Sequence, residues 1–204
     1  MINQQVYSKD IVEFVTVGVE YCSLIERAGE FTRKEFVLKL VRILPLLYIK
    51  ATLLPDEACD EIDELENYVT EEQYEYLRAL VSRQLAEKDD YLEVFEADMA
   101  YSDAPLAASV SEGLADIYQD VRDLLEIYRL GNEELSQLAV ARCRNNFATY
   151  WGQKLVNVMR PLHAICFDED GESDEMTHND DDDNEYDIYD HHHCDDDDCH
   201  CHNH

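Results

Sequence analysis

The 204-residue sequence has few residues that interrupt regular structure, with only six glycines and four prolines, and its last 37 positions contain no Lys or Arg. Long apolar runs are also lacking: the longest, Ile43 to Ile49, contains Pro45 and is too short to cross a bilayer. The N-terminus shows no charged-then-apolar export signal. We therefore expect a cytoplasmic protein without membrane spans, in which the seven cysteines, an odd number, stay largely reduced.

Recognisable catalytic patterns are absent as well. The sequence shows no glycine-rich phosphate loop, no nucleophile elbow and no Ser/His/Asp arrangement. His163 is the one histidine of residues 1–167, which argues against a dimetal site built from Glu-x-x-His pairs. These residues carry 30 acidic against 16 basic side chains, a net charge of −14, which disfavours nucleic acid or anionic lipid as a partner. We expect a protein that is not an enzyme.

Helix signals recur throughout residues 1–167, which we assign to one helical domain. Capping boxes begin at Thr32, Thr70 and Ser109, and Asn132 is a fourth N-cap after Gly131. The first helix is predicted from about Ser8 to about Ala28, with one apolar face formed by Ile11, Phe14, Gly18, Cys22 and Ile25. The sum is an all-α fold, an antiparallel bundle of about five to six helices without a sheet.

The spacing of apolar and acidic residues gives three finer expectations. The pattern of the helix after Thr70 is broken or restarted at Asp89-Asp90, and its apolar face is continued by Tyr91, Leu92, Phe95 and Met99. The last helix is predicted to be the longest, beginning at the cap Asn132 and ended by Pro161 and the charge run after Phe167. Between them, an acidic stripe lies along one helix, and its spacing of four, four and three favours a solvated face over a binding site. The stripe comprises Glu112, Asp116, Asp120 and Asp123.

Five segments of the domain resemble a bacterial family catalogued as a domain of unknown function, family 5063. They are Tyr7–Val15, Leu44–Tyr48, Glu87–Tyr91, Leu114–Asp120 and Trp151–Val156. The resemblance covers most of residues 1–165. It implies an all-helical fold and a cytoplasmic bacterial setting, and it implies no activity, because the family has no assigned catalytic residues to carry over.

Residues 168–204 differ sharply from the domain that precedes them. They hold 17 of the 47 acidic residues, seven of the eight histidines and three of the seven cysteines. With almost no apolar side chains to form a core, this segment is predicted to be a disordered acidic tail. Its composition is similar to the His/Cys/Asp-rich C-terminal tails of nickel-handling proteins, such as metal-binding prolyl isomerases and hydrogenase-maturation accessory proteins.

The end of the tail concentrates protein ligands for transition metals. Zn²⁺ takes thiolate and imidazole ligands, while Ni²⁺ favours imidazole-rich sites. The cysteine spacing, Cys-x₄-Cys-x-Cys, is not that of a zinc finger, so several overlapping sites are expected rather than one. The predicted metal ligands are His191, His192, His193, Cys194, Cys199, His200, Cys201, His202 and His204.

Two functions remain open at this point. In the first, the tail sequesters Ni²⁺ or Zn²⁺, and the protein buffers, stores or delivers the metal. In the second, the helical domain docks a protein partner and the tail serves only as an acidic solubilising segment. Cysteine and histidine are not needed for solubility, which favours the first function.

Overall fold

An antiparallel bundle of α-helices is formed by residues 4–56, 65–92 and 107–168, which are the residues described in a computed structural model of the chain. The predicted all-α bundle of five to six helices is confirmed for these residues. Single 3₁₀ turns occur at Gln4–Tyr7, Ala28–Glu30 and Ala86–Lys88. The helices are α1 (Lys9–Glu26), α2 (Arg33–Thr52), α3 (Glu71–Leu85), α4 (Val110–Arg129), α5 (Glu133–Asn146) and α6 (Gly152–Cys166).

Local capping explains why four of these helices begin where the sequence predicts. Thr32, Thr70, Ser109 and Asn132 each accept, through a side-chain oxygen, a hydrogen bond from the backbone N–H three residues later. At Thr32 the capping box is complete, because the Glu35 carboxylate accepts the N–H of Thr32 in return. Each cap satisfies a backbone donor that the first helical turn leaves without a partner.

Helix α4 contributes to the centre of the core, where Leu114, Ile117 and Val121 are fully buried. The predicted face of α1 is confirmed, since Ile11, Phe14, Gly18, Cys22 and Ile25 are all buried. Tyr21 of α1 is also fully buried and donates its hydroxyl hydrogen to the carbonyl of Leu114 at 2.7 Å. That bond satisfies a polar group which would otherwise be costly inside the core.

The expectation of a fold without a sheet is wrong. Strands β1 (Asp90–Leu92) and β2 (Ala107–Ser109) pair antiparallel, with Tyr91 opposite Ala108. Helix α3 cannot continue into Tyr91 and Leu92, because Ala86 has a φ of 50° and turns the chain away. Phe95 and Met99 lie outside the described residues.

The buried Asp89 fixes the start of this sheet against α4. Its carboxylate accepts the N–H of Ser111 at 2.8 Å and the Ser111 hydroxyl at 2.7 Å, and its carbonyl accepts the N–H of Val110. These donors belong to the first turn of α4, which favours a negative charge. These three hydrogen bonds hold the chain at Asp89 beside the start of α4, where β1 can pair with β2.

The predicted last helix is continuous from Glu133 to Cys166, but it is not α-helical throughout. Between α5 and α6 the chain forms a π-helical segment, Phe147–Trp151. A Cβ on Gly152 would overlap the carbonyl oxygen and ring of Phe147, so this wider turn requires glycine at its end. Trp151 packs edge-on against Phe147 and donates its indole hydrogen to the carbonyl of Cys143 at 3.1 Å.

None of the helices formed by residues 4–56, 65–92 and 107–168 combines the length and the apolar character that crossing a membrane requires.

Candidate functional site

The nine predicted metal ligands between His191 and His204 lie outside the described residues. Within residues 4–56, 65–92 and 107–168, no group of three or more His, Cys, Asp or Glu side chains is arranged to hold a metal ion. His163 and Cys166 share the end of α6, where the His163 ring contacts Phe167. The prediction of a metal site therefore continues to rest on the sequence.

The acidic stripe of α4 is not the solvated face that its spacing indicates. Asp116 and Asp123 are buried, with 7% and 5% of their surfaces exposed, and Asp120 is partly buried. Only Glu112 is exposed among the four. Buried carboxylates are stable only with partners. The structure supplies these partners from four helical segments, α3, α5, the π-helical segment and α6, and from the chain just before α3.

Asp116 is held between two tyrosines and a lysine. Tyr74 of α3 donates its hydroxyl hydrogen to Asp116 Oδ1 at 2.8 Å, and Tyr150 of the π-helical segment donates to Oδ2 at 2.7 Å. Lys154 Nζ lies 3.6 Å from the same Oδ2. Burial, and then the bond to Asp116, raises the pKa of both tyrosines well above the ordinary value, so both hydroxyls stay protonated donors.

Asp120 and Asp123, which lie closer to the C-terminal end of α4 than Asp116, also accept hydrogen bonds from neighbouring segments. Asp123 Oδ1 accepts the backbone N–H groups of Tyr68 and Val69 at 2.7 and 2.9 Å, which anchors the chain before α3. The amide of Asn146 donates to Asp120. Burial raises the pKa of the Asp120 carboxyl to about 6, although the bond from Asn146 acts in the opposite direction.

These carboxylates hold the helices together, and they have little capacity left for a ligand. Both oxygens of Asp116 already accept a tyrosine hydrogen, and one oxygen of Asp123 accepts two backbone donors. The spacing along α4 could not reveal this, because the partners come from α3, the turn before it and the segment after α5. The local signal is limited to tyrosines at positions 74 and 150, whose hydroxyls need a hydrogen-bond partner when they are buried.

A more accessible feature is a groove of about 370 Å³ between α1 and α2. Its apolar lining includes Leu24, Ile43 and Leu46, and three cations, Arg27, Lys39 and Arg42, stand around them. Glu20 is the acidic residue of the lining, which leaves the groove with a net positive charge. The domain as a whole is acidic, so this groove is a local reversal of its charge.

The groove's three cations differ in their partners within the described part of the chain. Arg27 forms an ion pair with Glu30 at 2.7 Å. Lys39 Nζ lies over the ring of Phe31, 5.1 Å from its centroid, and its charge also acts on the carboxylate of Glu35, one turn earlier on α2. Arg42 is exposed with no hydrogen bond or ion pair among the described residues. A cation without a partner is available to an anionic group from outside.

Fold and surface together define a helical-bundle domain, tied internally by buried carboxylates and carrying an open basic groove. The chain belongs to the family described as Domain of unknown function (DUF5063), whose model matches residues 5–168. It is similar to protein BF1032 from Bacteroides fragilis, known from a crystal structure. The two chains share 43% identity, and the match covers 79% of this chain and 95% of that one with a TM-score of 0.70. No curated protein matches the chain.

Proposed function

We propose that the chain binds a transition metal, Ni²⁺ or Zn²⁺, through its C-terminal segment and thereby buffers, stores or delivers that metal in the cytoplasm. One observation carries the proposal: nine of the last 14 residues are His or Cys, and no Lys or Arg follows Phe167. Thiolate and imidazole are the ligands that these metals prefer. We assign the protein a binding role rather than a reaction.

The donor set suits several sites of moderate affinity better than one closed site. Cys194, Cys199 and Cys201 offer three thiolates, which favour Zn²⁺, and the run His191–His193 offers imidazoles, which suit both metals. The surrounding aspartates attract a divalent cation from solution but favour Ca²⁺ or Mg²⁺ as direct ligands. Selectivity for a transition metal therefore depends on the cysteines and histidines.

Calorimetry on the full chain tests this proposal. Titration with Zn²⁺ or Ni²⁺ is expected to give more than one metal per chain. A variant with Cys194, Cys199 and Cys201 changed to Ser should bind Zn²⁺ at least about tenfold more weakly while its weak Ca²⁺ binding stays unchanged. Equal uptake by a chain ending at Asp168 would contradict the proposal.

The second candidate is a protein-interaction domain. The observation that favours it is the groove between α1 and α2, where an apolar lining and three cations lie on an accessible surface. Among the described residues, Arg42 has no hydrogen bond or ion pair. The two candidates are compatible, because they use separate residues. Loss of one function by substitution should leave the other unchanged.

A further inference from the structure

The groove is the end of a longer exposed surface on α2. At 100° per residue, the groove residues Lys39, Arg42 and Leu46 share one stripe of α2 with Ile49 and Leu53. Leu46, Ile49 and Leu53 are 49%, 52% and 47% exposed. Single exposed apolar residues are ordinary, but three on one stripe beside a groove form a surface suited to binding.

Charge and apolar character are separated along this surface. Lys50 of α2 pairs with Glu13 of α1 at 2.6 Å, which shows that the two helices run antiparallel. The groove cations Arg27, Lys39 and Arg42 therefore lie together at one end, where α1 finishes and α2 begins. The exposed Ile49 and Leu53 lie toward the other end.

We propose that this α1–α2 surface binds an acidic amphipathic helix of a partner protein. The partner's apolar side chains would pack along Leu46, Ile49 and Leu53, and carboxylates at one of its ends would meet Lys39 and Arg42. Charge complementarity identifies the occupant, because the cations are concentrated here on a domain that is otherwise strongly acidic.

The length of the exposed α2 surface matches a short helix better than it matches a small molecule. Lys39 and Leu53 are fourteen residues apart on α2, which corresponds to about 21 Å of helix. A partner helix of about 14 residues would span that length, whereas a small ligand would fill only the groove end. The inference extends the second candidate function, and it is independent of the metal proposal.

The experiment measures binding of fluorescently labelled synthetic helical peptides to the full chain by anisotropy. Two 16-residue peptides carry leucines at i, i+3, i+4 and i+7 with a block of four glutamates, at the N-terminal end in one and at the C-terminal end in the other. A third replaces the glutamates by glutamine. At least one acidic peptide is expected to bind saturably, and at least about tenfold more tightly than the glutamine peptide.

Matched variants locate the binding. Arg42→Glu should weaken binding of the acidic peptide by about tenfold, whereas Arg160→Glu, the same change on exposed α6 surface, should not. Leu46→Ser should weaken it by about fivefold, and Val156→Ser, an equally exposed position on α6, should have no effect. The tail is unchanged in all four variants, so their metal uptake should match that of the parent.

Three outcomes would overturn the proposal. The first is that neither acidic peptide binds saturably up to about 1 mM, a concentration at which even weak association is detectable. The second is that the glutamine peptide binds as tightly as the acidic peptides. The third is that the groove substitutions and the control substitutions change binding equally. Self-association of the full chain in sedimentation, abolished by Leu46→Ser, would instead show that a second copy occupies the surface. That result would equally contradict an acidic partner helix.

Discussion

Gly113 of α4 lies directly against Val158 of α6, so that a Cβ at position 113 would come within 2.5 Å of Val158 Cγ1. Both residues are buried, and the β-branched Val158 has little freedom to rotate away inside a helix. The absence of a side chain at position 113 therefore sets how closely α4 and α6 approach.

Gly113→Ala is expected to destabilise the protein by about 1–3 kcal/mol, because the added methyl overpacks this contact. A loss of stability would be informative, because Gly→Ala at an exposed position within a helix normally stabilises a protein by about 1 kcal/mol. Chemical denaturation of Gly113→Ala, Val158→Ala and the double variant measures the coupling. The double variant should be more stable than the sum of the single effects indicates. A more stable Gly113→Ala protein would contradict the close packing.

The tie between Tyr74 and Asp116 gives a second prediction. Tyr74→Phe removes the donor from Asp116 Oδ1 and should lower the free energy of unfolding by about 1–3 kcal/mol, since the buried oxygen loses its partner. Tyr76→Phe, on the same helix but 62% exposed, is the matched control and should change stability by less than about 0.5 kcal/mol. Equal stability of the two variants would show that the hydrogen bond from Tyr74 to Asp116 contributes nothing to the free energy of unfolding.

The partly buried Asp120 predicts an unusual dependence of stability on pH. Its carboxyl ionises near 3.8 in the unfolded chain and near 6 in the folded one. Between these values the unfolded state releases its proton first, so stability falls as the pH rises through this window. At neutral pH the folded state still carries the full free-energy cost of holding Asp120 ionised and partly buried.

Asp120→Asn should remove that penalty, because asparagine is neutral and can still accept the hydrogen bond from Asn146. We expect the variant to be more stable than the parent by about 1–3 kcal/mol at pH 7.5 and to lose this advantage at pH 4. Glu112→Gln, on the exposed turn of the same helix, controls for the change in net charge. An advantage that is the same at both pH values would be inconsistent with the raised pKa.

The sequence predicts what is encoded locally in this fold. Thr32, Thr70, Ser109 and Asn132 mark helix starts correctly, because a cap needs only the backbone three residues away. The strand at Asp90–Leu92 is missed, because it depends on pairing with Ala107–Ser109 and on the positive φ of Ala86. The π-helical segment is missed, because its apolar residues keep the spacing of three and four that an ordinary α-helix shows.

Burial of the acidic stripe is missed for the same reason. Spacing shows that Asp116 and Asp123 share a face of α4, but it cannot show that Tyr74, Tyr150 and the backbone of Val69 cover that face. The basic groove is likewise formed by residues of two helices. The proposed metal ligands remain a prediction from composition, since they lie outside the described residues.

Metal loading should depend steeply on pH. The sequence of residues 168–204 combines its thiols and imidazoles with seventeen carboxylates and no Lys or Arg, a composition that favours the protonated forms of these ligands. A metal must displace those protons, so uptake should fall sharply from about pH 7.5 to about pH 5.5. Equilibrium dialysis across this range measures it. A flat profile would show that carboxylates alone hold the metal.

Native mass spectrometry of the full chain, purified without an affinity column, tests the central claim most directly. We predict that the protein carries more than one Ni²⁺ or Zn²⁺ per chain, and that a variant with Cys194, Cys199 and Cys201 changed to Ser carries fewer. The comparison needs both proteins from the same growth medium with both metals present. A parent chain that emerges without transition metal, or a variant that is equally loaded, would contradict the proposed metal-binding function.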